Sequence, residues 1–389
     1  MHSTKYNMST ICLNMIVKNE SKTLPVLFES VKDIIDYYVI VDTGSEDGTP
    51  ELIKEIMTGY GIKGEVYNEK WINFGFNRDQ ALQKAVGKAD YAFIIDADEK
   101  LFYSDKNWFK VLDKNCYYFK RLYGAVEYYL PGLINIRNNN ALGWRWKAPV
   151  HEYLVPENMK KPCNRNLVDK NDLHIKSTVH GGARSHNVTS EEKYMRDVNI
   201  LLKHHTENPT DKRTIFYLAQ SYRDAGKPEE AMKWYKKRID MGGWSEEVYF
   251  AKYSYALCKQ NTGKYDFETE LLYDFLKAWN YRKTRLEALY VIVRTYRLNK
   301  KYKEAYAYGM LGFGLSKPED VLFVHKSIHD YSFMDELSIA AYWCGHYDVA
   351  KKLGEKILRD KLYPNVEYPR LKKNLQFSLD NYKLKYECV

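Results

Sequence analysis

Strand-like apolar runs crowd the first 190 residues and then cease, and from Ser190 onward the apolar residues recur at helical spacing. Such a chain folds as two bodies, an α/β domain followed by an all-α domain, with the boundary expected near residues 190–205. The domains are drawn as 1–200 and 201–389, and a length of 389 residues is too great for one ordinary domain. In the first half, the runs Ile11–Val17, Tyr37–Val41, Glu65–Tyr67 and Tyr91–Ile95 alternate with helical patterns over Leu24–Ile35, Glu51–Met57 and Asn73–Val86. Ser21 reads as the cap of the first helix. Buried strands alternating with helices predict a parallel sheet, so the loops at Lys18–Glu20, Asp42–Ser45 and Asp96–Glu99 converge on one rim. Ligands of open α/β sheets bind beyond such carboxyl ends.

The fourth run stops at Asp96-Ala97-Asp98-Glu99, three carboxylates within four residues. On an extended chain Asp96 and Asp98 point the same way, roughly 6–7 Å apart at ~3.3 Å per residue. Like charges held that close call for a cation. Hard divalent ions such as Mg²⁺ or Mn²⁺ take one or two protein carboxylates together with substrate phosphates. The bland alternative is a solvated acidic turn, with Asp42 capping the next helix and Arg78 paired to Asp79 or Glu69.

The stretches LNMIVKNE, YYVIVDTGSEDGT and FNRDQALQKAVGKADYAFIIDADE, in that order and spacing, resemble the nucleotide-binding half of glycosyltransferase family 2, inverting enzymes of the GT-A (Rossmann-like) fold. The resemblance implies a nucleotide-sugar set of Val17, Glu20, Asp42, Arg78 and Asp96. Glu20 and Asp42 would meet ribose and base, and Arg78 the diphosphate. Asp98 would be the metal ligand within the DxD motif. Where the family usually has a second aspartate this chain has Thr43, which puts base contacts at that position in question.

Residues 101–190 should supply the acceptor side. Tyr117–Lys120, 125–130 and Leu133–Arg137 alternate like antiparallel strands, with Pro131-Gly132 read as a turn between the last two. In GWRWKAPVHEYL, Trp144, Arg145 and Trp146 are either a sugar platform or buried strand aromatics. Val150-His151-Glu152 resembles the VHE segment of a family 2 subgroup that includes lipopolysaccharide core transferases. Inverting transfer needs one general base on the acceptor. Glu152 is assigned that role, with His151 as the rival. The subgroup has a further histidine, for which His174, His180 and His186 are candidates. His180, beside the flexible Gly181-Gly182, is taken as a third metal ligand.

In the second half Ala219, Tyr222, Gly226 and Ala231 recur as Ser338, Ala341, Gly345 and Ala350, and the Tyr222–Ala231 interval returns as Tyr296–Ala305. This resembles the tetratricopeptide pattern, in which small residues let paired helices approach and stacked pairs bury a common core. Glu246–Leu276 is a looser copy.

Composition narrows the partners. A net charge of +9, from 60 basic against 51 acidic residues, is interleaved rather than clustered, so nucleic acid is not expected. No apolar stretch reaches the ~18 residues of a membrane span, and no secretion signal is read. Six cysteines without a CxxC pair fit reduced thiols and a cytoplasmic setting. The leading expectation is a metal-dependent (Mn²⁺ or Mg²⁺) hexosyl- or N-acetylhexosaminyl-transferase using a nucleotide diphosphate sugar, UDP-linked, and a glycan or protein acceptor, with homodimerisation through the repeats. The rival is a non-catalytic tetratricopeptide scaffold with a degenerate nucleotide-binding domain. Joint presence of Glu20, Asp42, Arg78, Asp96, Asp98 and Glu152 argues for the enzyme, because a scaffold needs none of them.

Overall fold

The computed structural model describes residues 8–123, 126–137, 142–158, 163–168, 172–177 and 188–386. They form two compact units, 1–208 and 209–389, and the helix spanning position 200 belongs to the first. Both expected classes are present: a mixed-sheet α/β unit and an all-helical unit.

The first unit is built on strands β1 (Ile11–Val17), β2 (Tyr37–Asp42), β3 (Lys63–Asn68) and β4 (Tyr91–Ile94), interleaved with helices α1 (Leu24–Val31), α2 (Thr49–Gly59) and α3 (Phe74–Ala85). These strands pair in parallel in the order β3-β2-β1-β4. Val17 therefore lies beside Asp42, and all four carboxyl ends share one rim. α1 buries Leu24, Leu27, Phe28 and Val31 against the sheet, as its spacing predicts. Its N-cap is Thr23 rather than Ser21, whose backbone N–H instead donates to Asp47 Oδ2 at 3.1 Å. α3 is pinned from beneath by Asn14, a buried amide in β1 that donates to the Ala81 carbonyl at 2.8 Å and the Val39 carbonyl at 3.3 Å. A buried amide finds such partners because leaving it unpaired would cost the full desolvation penalty.

Strands β5 (Glu99–Phe102), β6 (Cys116–Tyr123), β7 (Val126–Asn135), β10 (Arg165–Val168) and β11 (His174–Ser177) extend the sheet, whose main path ends β4-β7-β6-β11-β5 while β10 pairs with β6. β8 (Trp144–Lys147) and β9 (Tyr153–Pro156) form a separate hairpin. Helix α4 (Ser190–Glu207) closes the unit, its first turn fixed by a Thr189/Glu192 capping box.

Pro131-Gly132 is not a turn. Both residues lie inside β7, and Gly132 is the extra residue of a bulge that shifts the β6–β7 register between Tyr117 and Tyr118. A Cβ at Gly132 would sit 2.5 Å from the Phe119 ring, so glycine is required there by close approach rather than by chain reversal.

The second unit is four helical hairpins and a final helix: α5 (Lys212–Asp224) with α6 (Pro228–Asp240), α7 (Ser245–Asn261) with α8 (Leu272–Tyr281), α9 (Glu287–Leu298) with α10 (Tyr302–Leu311), α11 (Phe333–Trp343) with α12 (Tyr347–Asp360), and α13 (Tyr368–Tyr386). The repeat residues Ala219, Ala231, Ala305, Ala341 and Ala350 are all buried where paired helices cross. Gly226 and Gly345 close their hairpins at φ +73° and +77°, and Lys300 holds the equivalent place at +58°. Each of the three is followed by the same bond, from the next residue's N–H to a carbonyl five positions back.

Candidate functional site

At the end of β4 the chain does not stay extended. Glu99 N–H donates to the Asp96 carbonyl at 3.0 Å and Asp96 N–H donates to Glu99 Oε2 at 2.9 Å, so residues 96–99 form a closed turn. The same-face geometry expected for Asp96 and Asp98 on an extended strand is thus replaced by a turn. Glu99 is no member of a rim cluster, because its buried carboxylate is ion-paired with Arg121, which also donates to the Ile94 carbonyl at 3.1 Å. The pair fixes the turn from below. Asp96 and Asp98 both remain partly exposed.

Arg78 is the centre of the rim. From α3 its Nη2 donates to Asp96 Oδ1 at 2.5 Å and its Nε to Glu152 Oε1 at 2.6 Å, while the guanidinium lies over Trp146 at 5.5 Å. The surface pairings with Asp79 or Glu69 are not made, since Asp79 meets Arg145 and Glu69 meets Lys84. Only 12% of the Arg78 side chain and 15% of the Glu152 side chain are exposed, against 49% for Asp96. Burial disfavours the charged carboxylate of Asp96, but Arg78 and Arg121 outweigh it and hold that group below its ordinary range. Burial works against the Arg78 cation too, and the two carboxylates outweigh it and raise its pKa.

Local chemistry brings Glu152 to this arginine. Asn73 caps α3 by accepting from Phe76 N–H at 2.8 Å, Asp79 accepts from Trp146 N–H at 2.9 Å, and Gln83 donates to the Trp144 carbonyl at 3.0 Å. The loop after β8 presses on the helix start so closely that a Cβ at Gly75 would lie 2.0 Å from the Ala148 carbonyl oxygen. Ala148 and His151 adopt left-handed backbone at φ +68° and +51°, uncommon conformations for residues with a side chain. Glu152 thereby turns to Arg78. His151 is exposed. The aromatic pair splits: Trp144 is core, and Trp146 is half-buried beside Arg78. A cavity of about 280 Å³, lined in part by Phe76, Asp79, Trp146, Pro149 and His204, adjoins the same ring.

On the β1–β2 side of the rim the first two loops are laced together. Asn19 N–H donates to Ser45 Oγ and Glu46 N–H to Asn19 Oδ1, each at 2.8 Å, and Glu20 N–H donates to Thr49 Oγ1 at 3.0 Å. Asp42 is buried and both its oxygens accept from Ser45 N–H at 2.9–3.0 Å, so it closes its own turn, and the α2 start is held by Asp47. Glu20 accepts from Thr23 Oγ1 at 2.8 Å. Thr43, at the position of the family's second aspartate, is buried, and its hydroxyl donates to the Val17 carbonyl at 3.0 Å.

Among the described residues no group of three or more His, Cys, Asp or Glu side chains is placed to hold a metal ion. His180 and His186 lie outside the described residues. His174 stacks on Phe102 at 5.0 Å, across the β11–β5 pairing. The feature of the rim that sequence reasoning missed is the double salt bridge of Arg78, whose local signal was an arginine on a helix near the strand ends.

Residues 12–113 match the family described as glycosyl transferase family 2. Over 244 residues the chain is 26% identical to the SPbeta prophage-derived glycosyltransferase SunS of Bacillus subtilis (strain 168), covering 61% of this chain and 54% of that protein. A TPR repeat-containing protein of Synechococcus elongatus is 38% identical over 95 residues, 24% of this chain and 22% of the other. The chain thus spans about half of one curated relative and about a fifth of the other. Among solved structures, the C-terminal part of a TPR repeat-containing protein from Cytophaga hutchinsonii superposes with a TM-score of 0.37 at 14% identity, over 49% of this chain and 72% of that one.

Proposed function

We propose that the α/β unit is a metal-dependent inverting glycosyltransferase that moves a hexosyl or N-acetylhexosaminyl group from a UDP-sugar to a glycan or protein acceptor. The observation that carries this reading is Arg78 held between Asp96 and Glu152 at the strand-end rim. A diphosphate leaving group needs its charge neutralised, and a guanidinium with a rigid fork of donors is suited to that. Arg78 leaves Asp96 or Glu152 in part to meet the diphosphate.

The donor set also fits a divalent cation. Asp96 and Asp98 stand two residues apart in the turn after β4, both partly exposed, and hard divalent ions take such carboxylate oxygens. Mg²⁺ or Mn²⁺ would be held by Asp98, with phosphate oxygens and water completing its shell and His180 as the further ligand. When bound, the ion supplies Lewis-acid stabilisation of the leaving diphosphate. Glu20 and Asp42 flank the nucleoside, beside the end of Val17.

Glu152 serves as the general base. Arg78 occupies Oε1, which fixes the carboxylate and leaves Oε2 to take the acceptor's proton. The helical unit selects the acceptor or pairs two copies of the chain. Five free cysteines among the described residues fit a reducing cytoplasm, and no described helix is long and apolar enough to cross a membrane. The scaffold alternative assigns no work to the Arg78 network.

The test is a panel of nucleotide sugars, with and without Mn²⁺, assayed for hydrolysis or transfer by the full chain and by Asp98→Asn. Metal-dependent turnover of one donor, lost in a folded Asp98→Asn, is the expected result. Equal turnover by both proteins would remove Asp98 from the site.

A further inference from the structure

The last helix in a stack of helical hairpins needs a polar outer face, because no further hairpin covers it. α13 departs from this rule. It buries Leu371 and Ser378, yet it presents Phe377 and Leu384, two turns apart on one side of the helix, at 47% and 69% exposure. Trp343, the last residue of α11, is 60% exposed and is joined to Phe377 through the Tyr342 ring, with centroids 5.5 and 6.5 Å apart. The exposed Tyr386 continues the patch from Tyr382, whose ring it meets at 5.0 Å.

Lysines frame these rings. The 19 residues of α13 hold five basic side chains against a single acid, Asp380. Arg370 is neutralised by Asp335 and Glu367. The lysines are placed otherwise: Lys373 lies over the Phe377 ring at 5.7 Å, Lys385 over Tyr386 at 5.2 Å and, from α12, Lys351 over Tyr382 at 4.1 Å. Lys383 is exposed next to Leu384. An apolar patch edged by ammonium groups is therefore left open at this end of the helical unit.

We infer that the outer face of α13 with the end of α11 is a docking surface for an anionic lipid bilayer. Phe377, Leu384 and Trp343 enter the boundary between head groups and acyl chains, and the lysines meet the lipid phosphates and carboxylates. Aromatic and lysine side chains combine an apolar body with a polar tip, which suits them to that boundary. A helix with Phe and Leu flanked by lysines lies in its plane. The charge also speaks against a second copy of the chain as occupant, since a two-fold axis sets the patch against itself and lysine would face lysine. A nucleic acid would satisfy the lysines and leave Leu384 in water. The inference does not rest on glycosyl transfer.

The experiment sediments the full chain with vesicles of phosphatidylcholine alone and of phosphatidylcholine mixed with phosphatidylserine. The mixed vesicles should bind about tenfold or more tightly than the neutral ones, and added salt should weaken that binding. Lys373→Glu/Lys383→Glu should lose about tenfold or more on the mixed vesicles, and Phe377→Ser/Leu384→Ser should lose a similar factor, with the helix content of both unchanged by circular dichroism. Equal binding to the two kinds of vesicle overturns the proposal, as does a folded variant of either type that binds like the unmodified chain. A dimer that the apolar substitutions dissolve while vesicle binding persists would give the patch to a second copy, and likewise overturns it. If Phe377→Ser/Leu384→Ser fails to fold, Phe377→Trp/Leu384→Trp takes its place and should bind the mixed vesicles more tightly than the unmodified chain. No gain in that variant overturns the proposal as well.

Discussion

Arg78 and Glu152, 74 positions apart, form a salt bridge with Nε 2.6 Å from Oε1, and the same guanidinium reaches Asp96 at 2.5 Å. One cation thus ties the helix before the fourth strand to the strand's end and to the loop after the β8 strand. The site's shape depends on this residue before any ligand arrives.

Removing that cation should cost stability as well as activity. Arg78→Met leaves two carboxylates facing each other, and the loss should be about 1–3 kcal/mol, below the ~3–5 of a fully buried pair because Asp96 is half open to water. Arg78→Lys keeps the charge but not the fork, so it should recover most of the stability and little of the turnover. Urea denaturation alongside a donor assay separates the two effects.

The base assignment is tested by two substitutions at adjacent positions. Glu152→Gln should lower turnover by ~10²–10⁴-fold with little change in donor affinity, and His151→Asn should do much less. An inverted ranking would give the base role to His151 and leave Glu152 as the group that positions Arg78.

Acid should weaken the rim in a defined direction. The Asp96 carboxyl is held below its unfolded value, chiefly by Arg78 and Arg121 against the opposing effect of burial. Its contribution is therefore fully present above the unfolded pKa of ~3.9 and is lost as pH falls through the lower folded value. Between about pH 5 and 2 the unmodified chain should lose more stability than Asp96→Asn does. Matching pH profiles of unfolding free energy in the two proteins would show that the Asp96 charge is not stabilised in the folded state.

The hairpin turns supply a test in the second unit. Lys300→Gly should stabilise by about 0.5–1 kcal/mol, because glycine adopts φ +58° without a Cβ clash. Gly226→Ala and Gly345→Ala should each destabilise by about 1 kcal/mol. A denaturation midpoint that falls in the lysine variant would mean that the Lys300 side chain contributes more than its backbone costs.

The strands, the helices and their parallel rim were legible because they follow from periods of two and of 3.6 residues, which are set by neighbours within one or two turns. The Tyr222–Ala231 spacing announced the hairpins for the same local reason, and even the lysine at position 300 keeps the register. Pro131-Gly132 shows the limit of such reading. Its composition signals a turn, yet it lies in a strand because the Phe119 ring across the sheet leaves no room for a Cβ.

What the sequence determined by itself, then, was the order of elements, the two fold classes and the placement of Asp42, Asp96 and Asp98 at strand ends, all consequences of short-range pattern. Tertiary structure alone decided which charges meet: that Glu99 turns inward to Arg121, and that Arg78 chooses Asp96 and Glu152 over Asp79 and Glu69. The physical reason is that a charge's partner is set by desolvation and by what the folded chain brings within ~4 Å, a property of long-range packing that no local spacing encodes.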